Sequence, residues 1–209
     1  MEKHIYFVRH GESEGNVSRT YRGKDTPLTE TGRVQAGIVA ERVAKLGIEA
    51  LVTSDFIRAK DTAAIIGKKA SVTPEEQPMF GEWLEPEHLL GKSYDHPDAK
   101  AMREAIHESD DPEFRHSNEE SFAEMKERAT RCYAFLKQHP AERICVIAHL
   151  GFLRVLVGVA LLDTSFGKVQ YSQLFRHLEG TNTGVTYVRF DDERNRWKLI
   201  TWNDQSHLG

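Results

Sequence analysis

Two histidines stand where apolar runs of the chain stop. His4-Ile5-Tyr6-Phe7-Val8 ends at Arg9-His10-Gly11, and Arg143-Ile144-Cys145-Val146-Ile147-Ala148 ends at His149-Leu150-Gly151. A third run, Ile48 to Thr53, stops at Ser54-Asp55, with Arg58 just beyond. An imidazole with one unprotonated nitrogen can attack phosphorus, and arginine forks match the oxygens of a dianionic phosphoryl group. Glycine next to such groups lets a ligand approach the main chain. Arg-His-Gly alone is a cheap triplet, so the weight rests on the three run ends together.

Those residues can meet only if the runs are neighbouring strands pointing the same way. The run ending at His149 is too continuously apolar to be half exposed, so it belongs in the middle of a sheet. Strand and helix alternate along the first seventy residues. Leu28 to Leu46 carries Val34, Ile38, Val39, Val43 and Leu46 at helical spacing, and Phe56 to Lys69 carries Ile57, Thr62, Ala63 and Ile66. This rhythm predicts a three-layer α/β/α sandwich with a mostly parallel central sheet, whose strand ends gather at one edge.

The rest of the chain is expected to complete one domain over 1–209. Residues 71–117 lose regular patterning, are punctuated by Pro74, Pro78, Pro86 and Pro97, and contain one helix, Pro97 to Glu108. They read as an excursion that covers the pocket. Ser117-x-x-Glu120 has the form of a capping box opening a long amphipathic helix with Phe122, Met125, Ala129, Cys132, Tyr133 and Leu136 on one face. An apolar helix follows His149, a further helix is expected near Ser165–Leu178, and Val185 to Phe190 with Trp197 to Trp202 read as a β-hairpin.

Composition narrows the function. A formal charge of −4 gives no basic footprint for nucleic acid, so an anionic substrate must be drawn by local arginines. No apolar run reaches the length of a membrane span. The strand-like start leaves no room for a signal peptide, and Cys132 and Cys145 are isolated, so a reducing, cytoplasmic setting is expected. His10 and His149 lack any companion cluster at metal-ligand spacing, so neither a metal nor another cofactor is expected. Leu90-Gly91-Lys92-Ser93 mimics the end of a P-loop, but Pro86 stands where its first glycine belongs. The other histidines read as solvated or capping side chains, with His207 packing in the C-terminal tail.

Four motifs, in order, give a resemblance. Arg9-His10-Gly11-Glu12-Ser13 with Asn16, Leu28-Thr29-Glu30-Thr31-Gly32 with Gln35-Ala36, Ser54-Asp55-Phe56-Ile57-Arg58-Ala59 with Thr62-Ala63, and His149 with Gly151 and Arg154 are similar to the histidine phosphatase superfamily, the phosphoglycerate-mutase-like proteins. The likeness spans nearly the whole chain. It implies that His10 is the nucleophile that becomes phosphorylated, and that Arg9, Arg58 and His149 hold the phosphoryl oxygens, with Asn16 as a supporting polar contact. Phe80-Gly81-Glu82 resembles the segment that carries the family's proton donor, which nominates Glu82; Glu85 is the alternative.

The implied activity is metal-independent, acid-type phosphatase hydrolysis of a small phosphorylated substrate. Two other readings stay open: a phosphoglycerate mutase, and a non-catalytic module that binds phosphate. Against the mutase, Glu14-Gly15 stands where a tryptophan is expected between Ser13 and Asn16. The identity of the phosphomonoester and the oligomeric state are not encoded in these patterns.

Overall fold

The computed structural model describes residues 2–209; Met1, the first position of the expected 1–209 domain, lies outside the described residues. Strands β1 (Lys3–Arg9), β2 (Ala50–Thr53), β3 (Pro74–Glu76), β4 (Arg143–Ala148), β5 (Val185–Asp191) and β6 (Arg196–Asp204) form one sheet in the order β3-β2-β4-β1-β5-β6. The pairs β3–β2, β2–β4 and β4–β1 are parallel, whereas β5 joins β1 antiparallel and turns back into β6. The expected mostly parallel α/β sheet is what forms, with the hairpin closing one edge.

β4 explains why the sheet is covered on both faces. Side chains alternate along a strand, so Cys145 and Ile147 join Val8 and Leu51 under α2 (Glu30–Lys45) and α3 (Ile57–Ala70). Ile144, Val146 and Ala148 join Ile5 and Phe7 under α5 (Phe122–Gln138) and α6 (Leu150–Leu162). All five of these β4 residues are fully buried, as an unbroken apolar run requires.

Several local expectations shift. The expected capping box at Ser117 and Glu120 forms four residues later: Glu124 N–H donates to Ser121 Oγ at 3.2 Å and Ser121 N–H to Glu124 Oε2 at 2.9 Å. Glu119 instead accepts the His116 and Ser117 N–H groups, and Glu120 pairs with Arg128 at 2.7 Å. α2 turns Gly32, Ala36, Val39, Ala40 and Val43 inward and leaves Val34 and Ile38 exposed. Between β1 and α2 a short helix α1 (Glu14–Ser18) forms. Residues 71–117 begin with β3, an edge strand led by Pro74, where a missing N–H costs no ladder bond.

The remainder of that excursion has its own small core. Tyr21, Leu89, Ala99 and Met102 are buried together, with Trp83, Tyr94 and Ile106 against them, under α4 (Pro97–Glu108). Arg103 ties it down by donating to Tyr21 Oη at 2.9 Å and to the Tyr94 carbonyl at 2.7 Å. The last helix, α7 (Lys168–His177), packs through Tyr171 into the α5–α6 layer.

Candidate active site

Strand register brings the two histidines together. Arg9 is paired with Ala148, and His10 N–H donates to the Ala148 carbonyl at 3.1 Å, so His10 and His149 leave adjacent parallel strands side by side. Their ring centroids are 5.0 Å apart, and both side chains are buried. On the far side of β4, β2 ends level with it, which puts Ser54 Oγ 2.7 Å from His149 Nε2.

The hydrogen bonds define the His10 tautomer. Nδ1 lies 2.7 Å from the carbonyl of Gly11, which can only accept, so Nδ1 carries the proton and Nε2 the lone pair. Arg58 donates from Nε to that Nε2 at 3.2 Å. Burial first, then the cationic Arg58 and Arg9, hold the His10 imidazole well below the usual histidine range. Burial and then Arg58 do the same for His149. Both rings are therefore neutral at neutral pH.

Arg58 comes from the first turn of α3 and is itself buried. Its guanidinium lies 4.6 Å over the Phe56 ring, and Nη1 donates to the Gly23 carbonyl at 3.1 Å. Arg9 donates from Nη1 to the Gly180 carbonyl at 2.6 Å. Two buried nitrogens nearby have no partner among the described residues, Arg9 Nε and His149 Nδ1. Buried polar groups are seldom left unpaired, so these mark where a polar ligand fits.

Asn16 joins the group through a neighbour that sequence reasoning missed. Its Oδ1 accepts from Ser13 N–H at 3.1 Å and from Asn182 Nδ2 at 3.2 Å, and Asn182 also donates to the His10 carbonyl at 3.0 Å. Ser54 orients His149 and also accepts the Phe56 N–H at 3.4 Å. Its position at the end of a strand parallel to β4 was the available signal; Asn182, just ahead of β5, offered none.

A close approach fixes the loop beyond His10. A Cβ on Gly11 would fall 2.4 Å from the Gly32 carbonyl oxygen, and one on Gly32 would fall 2.0 Å from that of Glu12. Only glycine at both positions lets the start of α2 press on this loop. Thr62 Oγ1 accepts the Gly11 N–H at 3.1 Å from below.

The two carboxyl candidates differ in their surroundings. Glu82 accepts three main-chain N–H groups: Trp83 at 2.9 Å and Phe152 at 2.8 Å on Oε1, and Gly151 at 3.1 Å on Oε2. It thus occupies the N-terminus of α6, the helix that His149 opens, a place where N–H groups favour an anion. Glu85 has no such donors among the described residues. Burial, and then the nearby Glu82 carboxylate, push its carboxyl up to about 8, against the opposing pull of Arg58.

Arg9, His10, Asn16, Arg58, Glu82 and Glu85 all border one pocket of about 490 Å³. His149 backs it from beneath as a fully buried side chain. Trp83 is a wall, with Nε1 donating to the Glu120 carbonyl at 2.7 Å. His207 lies outside the group, in the tail packing expected of it, 3.2 Å from Arg42 Nη1 and 3.3 Å from Thr183 Oγ1. Among the described residues, no helix is long and apolar enough to cross a membrane.

Known proteins resemble the chain over nearly its whole length. The family model of the histidine phosphatase superfamily, branch 1, matches residues 5–205. The probable phosphoglycerate mutase GpmB of Cronobacter sakazakii is 32% identical over 213 residues, covering 98% of this chain and 94% of that protein. The metal-independent phosphoserine phosphatase of Arabidopsis thaliana is 30% identical over 211 residues, covering 98% of this chain and 82% of its own. Among solved structures, a mycobacterial glucosyl-3-phosphoglycerate phosphatase superposes with a TM-score of 0.79 at 25% identity, covering 98% of this chain and 100% of that one.

Proposed function

The chain belongs to branch 1 of the histidine phosphatase superfamily, and we propose that within it this enzyme is a phosphomonoester hydrolase working without a metal ion through a phosphohistidine on His10. The carrying observation is the unprotonated Nε2 of His10 beside a cation and two buried nitrogens without a partner among the described residues. In the first step Nε2 attacks phosphorus as the ester P–O bond breaks, and the departing alkoxide takes a proton from a carboxyl group. In the second, water attacks phosphorus, loses its proton to that carboxylate, and the N–P bond breaks.

Arg9, Arg58 and His149 serve this chemistry as fixed donors to the three phosphoryl oxygens, where transition-state charge is spread. Asn16 is the supporting contact. Removing one such donor is typically worth about 10²–10³ in rate.

Glu82 is the proposed proton donor. It shares the α6 N-terminus that an arriving phosphoryl group also favours, which brings its carboxyl against the departing oxygen. One observation favours Glu85 instead: at about 8 it is the carboxyl that still carries its proton at neutral pH.

The test is to offer p-nitrophenyl phosphate and labelled substrate to the wild type and to His10→Ala. Phosphate release and label trapped on the protein, both lost in His10→Ala, are expected. Full turnover in the variant would remove the mechanism. A mutase is the second reading, favoured by the name of the Cronobacter relative. It predicts 2-phosphoglycerate from 3-phosphoglycerate; the hydrolase predicts free phosphate. Phosphate binding without trapped label or turnover would make the chain a recognition module.

A further inference from the structure

The pocket extends well past the phosphoryl end, and three elements build its other end. A ladder of ring contacts leads there. The Arg154 guanidinium lies 4.7 Å from the Phe175 ring centre, Phe175 lies 6.1 Å from Tyr171, and Tyr171 lies 5.1 Å from Phe122. Lys168, at the start of α7, sits among them, its Nζ 5.4 Å from the Tyr171 ring and 6.0 Å from that of Phe122.

Lys168 is 6% exposed, yet its ammonium has no hydrogen bond or ion pair among the described residues. The nearest opposing charge is Glu119, whose two carboxylate oxygens are taken by the main-chain N–H groups of His116 and Ser117. The side chain is mostly covered while its tip lines the pocket, so the ammonium has aromatic faces beside it but no anion to meet it there. Beside it, α4 presents His107, whose ring lies 5.1 Å from Phe175 and whose buried Nδ1 also lacks a partner. Burial, then Arg176 and Lys168, lower the His107 pKa, so its ring is neutral and free to hydrogen-bond. A cation and an imidazole, both unpaired, converge on an apolar chamber.

Size points the same way. The pocket of about 490 Å³ lies inside the roughly 300–1,000 Å³ of clefts that bury drug-sized ligands. A phosphate ester with only a few carbons would leave the Phe122–Tyr171–Phe175 end in contact with water.

We propose that Lys168 and His107 form a second anion subsite, so that the substrate is a phosphomonoester with an aromatic or similarly bulky apolar body and a second anionic group beyond it. This rests on the phosphatase reading for the end at His10. The apolar body covers the three rings, and the far anion supplies the counter-charge that Lys168 lacks.

Binding of unreactive phosphonates tests the subsite apart from catalysis. Methylphosphonate, phenylalkyl phosphonates and the same compounds with a para-carboxylate are titrated by calorimetry into the wild type, Lys168→Met and Lys168→Arg. The phenyl group is expected to tighten binding about tenfold or more, and the carboxylate by about tenfold again. Lys168→Met keeps the aliphatic stem that packs on the rings, and is expected to erase only the carboxylate increment; Lys168→Arg is expected to keep it. Equal affinities with and without the carboxylate, or an increment that survives in Lys168→Met, would overturn the proposal. Turnover of p-nitrophenyl phosphate is followed in parallel. The expected ranking without turnover sinks the hydrolase reading and leaves the subsite standing, turnover without the ranking does the reverse, and no phosphonate binding together with no turnover removes both.

Discussion

Arg58 donates from Nε to Nε2 of His10 across 3.2 Å, so the lone pair on which the proposed chemistry turns already rests against a cation. The contact orients the ring and, after burial, is the largest influence keeping it unprotonated. It also means that a phosphoryl group entering the site finds nucleophile and charge stabiliser on the same side.

Replacing Arg58 separates these roles. Arg58→Met is expected to lower kcat by about 10²–10³ and to raise the His10 pKa, since one of the two cations opposing protonation is gone. NMR titration of the imidazole checks the second part. Arg58→Lys restores a point charge without the planar fork, and is expected to recover the pKa better than the rate. An unmoved imidazole in Arg58→Met would remove this account.

The carboxyl assignment yields to leaving-group chemistry. Replacement of the true donor by glutamine is expected to slow hydrolysis of alkyl phosphates by about 10²–10⁴, while p-nitrophenyl phosphate, which needs little help from an acid, is affected far less. Glu82→Gln is expected to show this pattern. If Glu85→Gln shows it and Glu82→Gln does not, Glu85 is the donor and Glu82 only steadies α6.

Stability should respond to pH in two opposite ways. His10 and His149 stay neutral in the fold well below 6.5, so as pH falls through that range only the unfolded chain takes up their protons, and stability drops. Glu85 works in the other direction. Folded, it holds its proton up to about 8, whereas the unfolded group releases it near 4.5, so its contribution is intact below 4.5 and lost as pH rises through about 8. Thermal melts across this range are expected to lose the alkaline decline in Glu85→Gln. An identical profile in that variant would show that Glu85 is not the group responsible.

A packing prediction lies far from the chemistry. A Cβ at Gly158 of α6 would fall 2.1 Å from Cζ of Phe166, a fully buried ring. Gly158→Ala is expected to destabilise the protein by about 1–3 kcal/mol through this overpacking, read as a shift in the denaturant midpoint. Pairing it with Phe166→Leu, which shortens the opposing side chain, should recover part of the loss.

Particular residues show what the sequence made legible. β4 was readable because five consecutive apolar residues have only one place in such a fold, and its end then located His149 beside His10. The inward face of α2 was legible only in part, through Val39 and Val43, which are buried as their spacing implies. Its packing relies on Gly32, Ala36 and Ala40, small residues with weak hydrophobic signal, so the larger Val34 and Ile38 drew the eye while standing 56% and 40% exposed. Arg9 at a strand end and Arg58 at a helix start could be found from position alone. Ser54 and Asn182 act through neighbours distant in the chain, and Lys168 matters only because Glu119 is occupied elsewhere. Such relations appear only once the chain is folded.

The small buried group of Tyr21, Leu89, Ala99 and Met102 has a further implication. These side chains gather apart from the two clusters that cover the sheet, whereas the histidines take their positions from the β1–β4 ladder. Changes inside that group are therefore expected to leave the spacing of the two rings intact. Glu82 and Glu85 belong to the same stretch of chain, so a graft from a cousin that shifts them would alter reactivity along with fit.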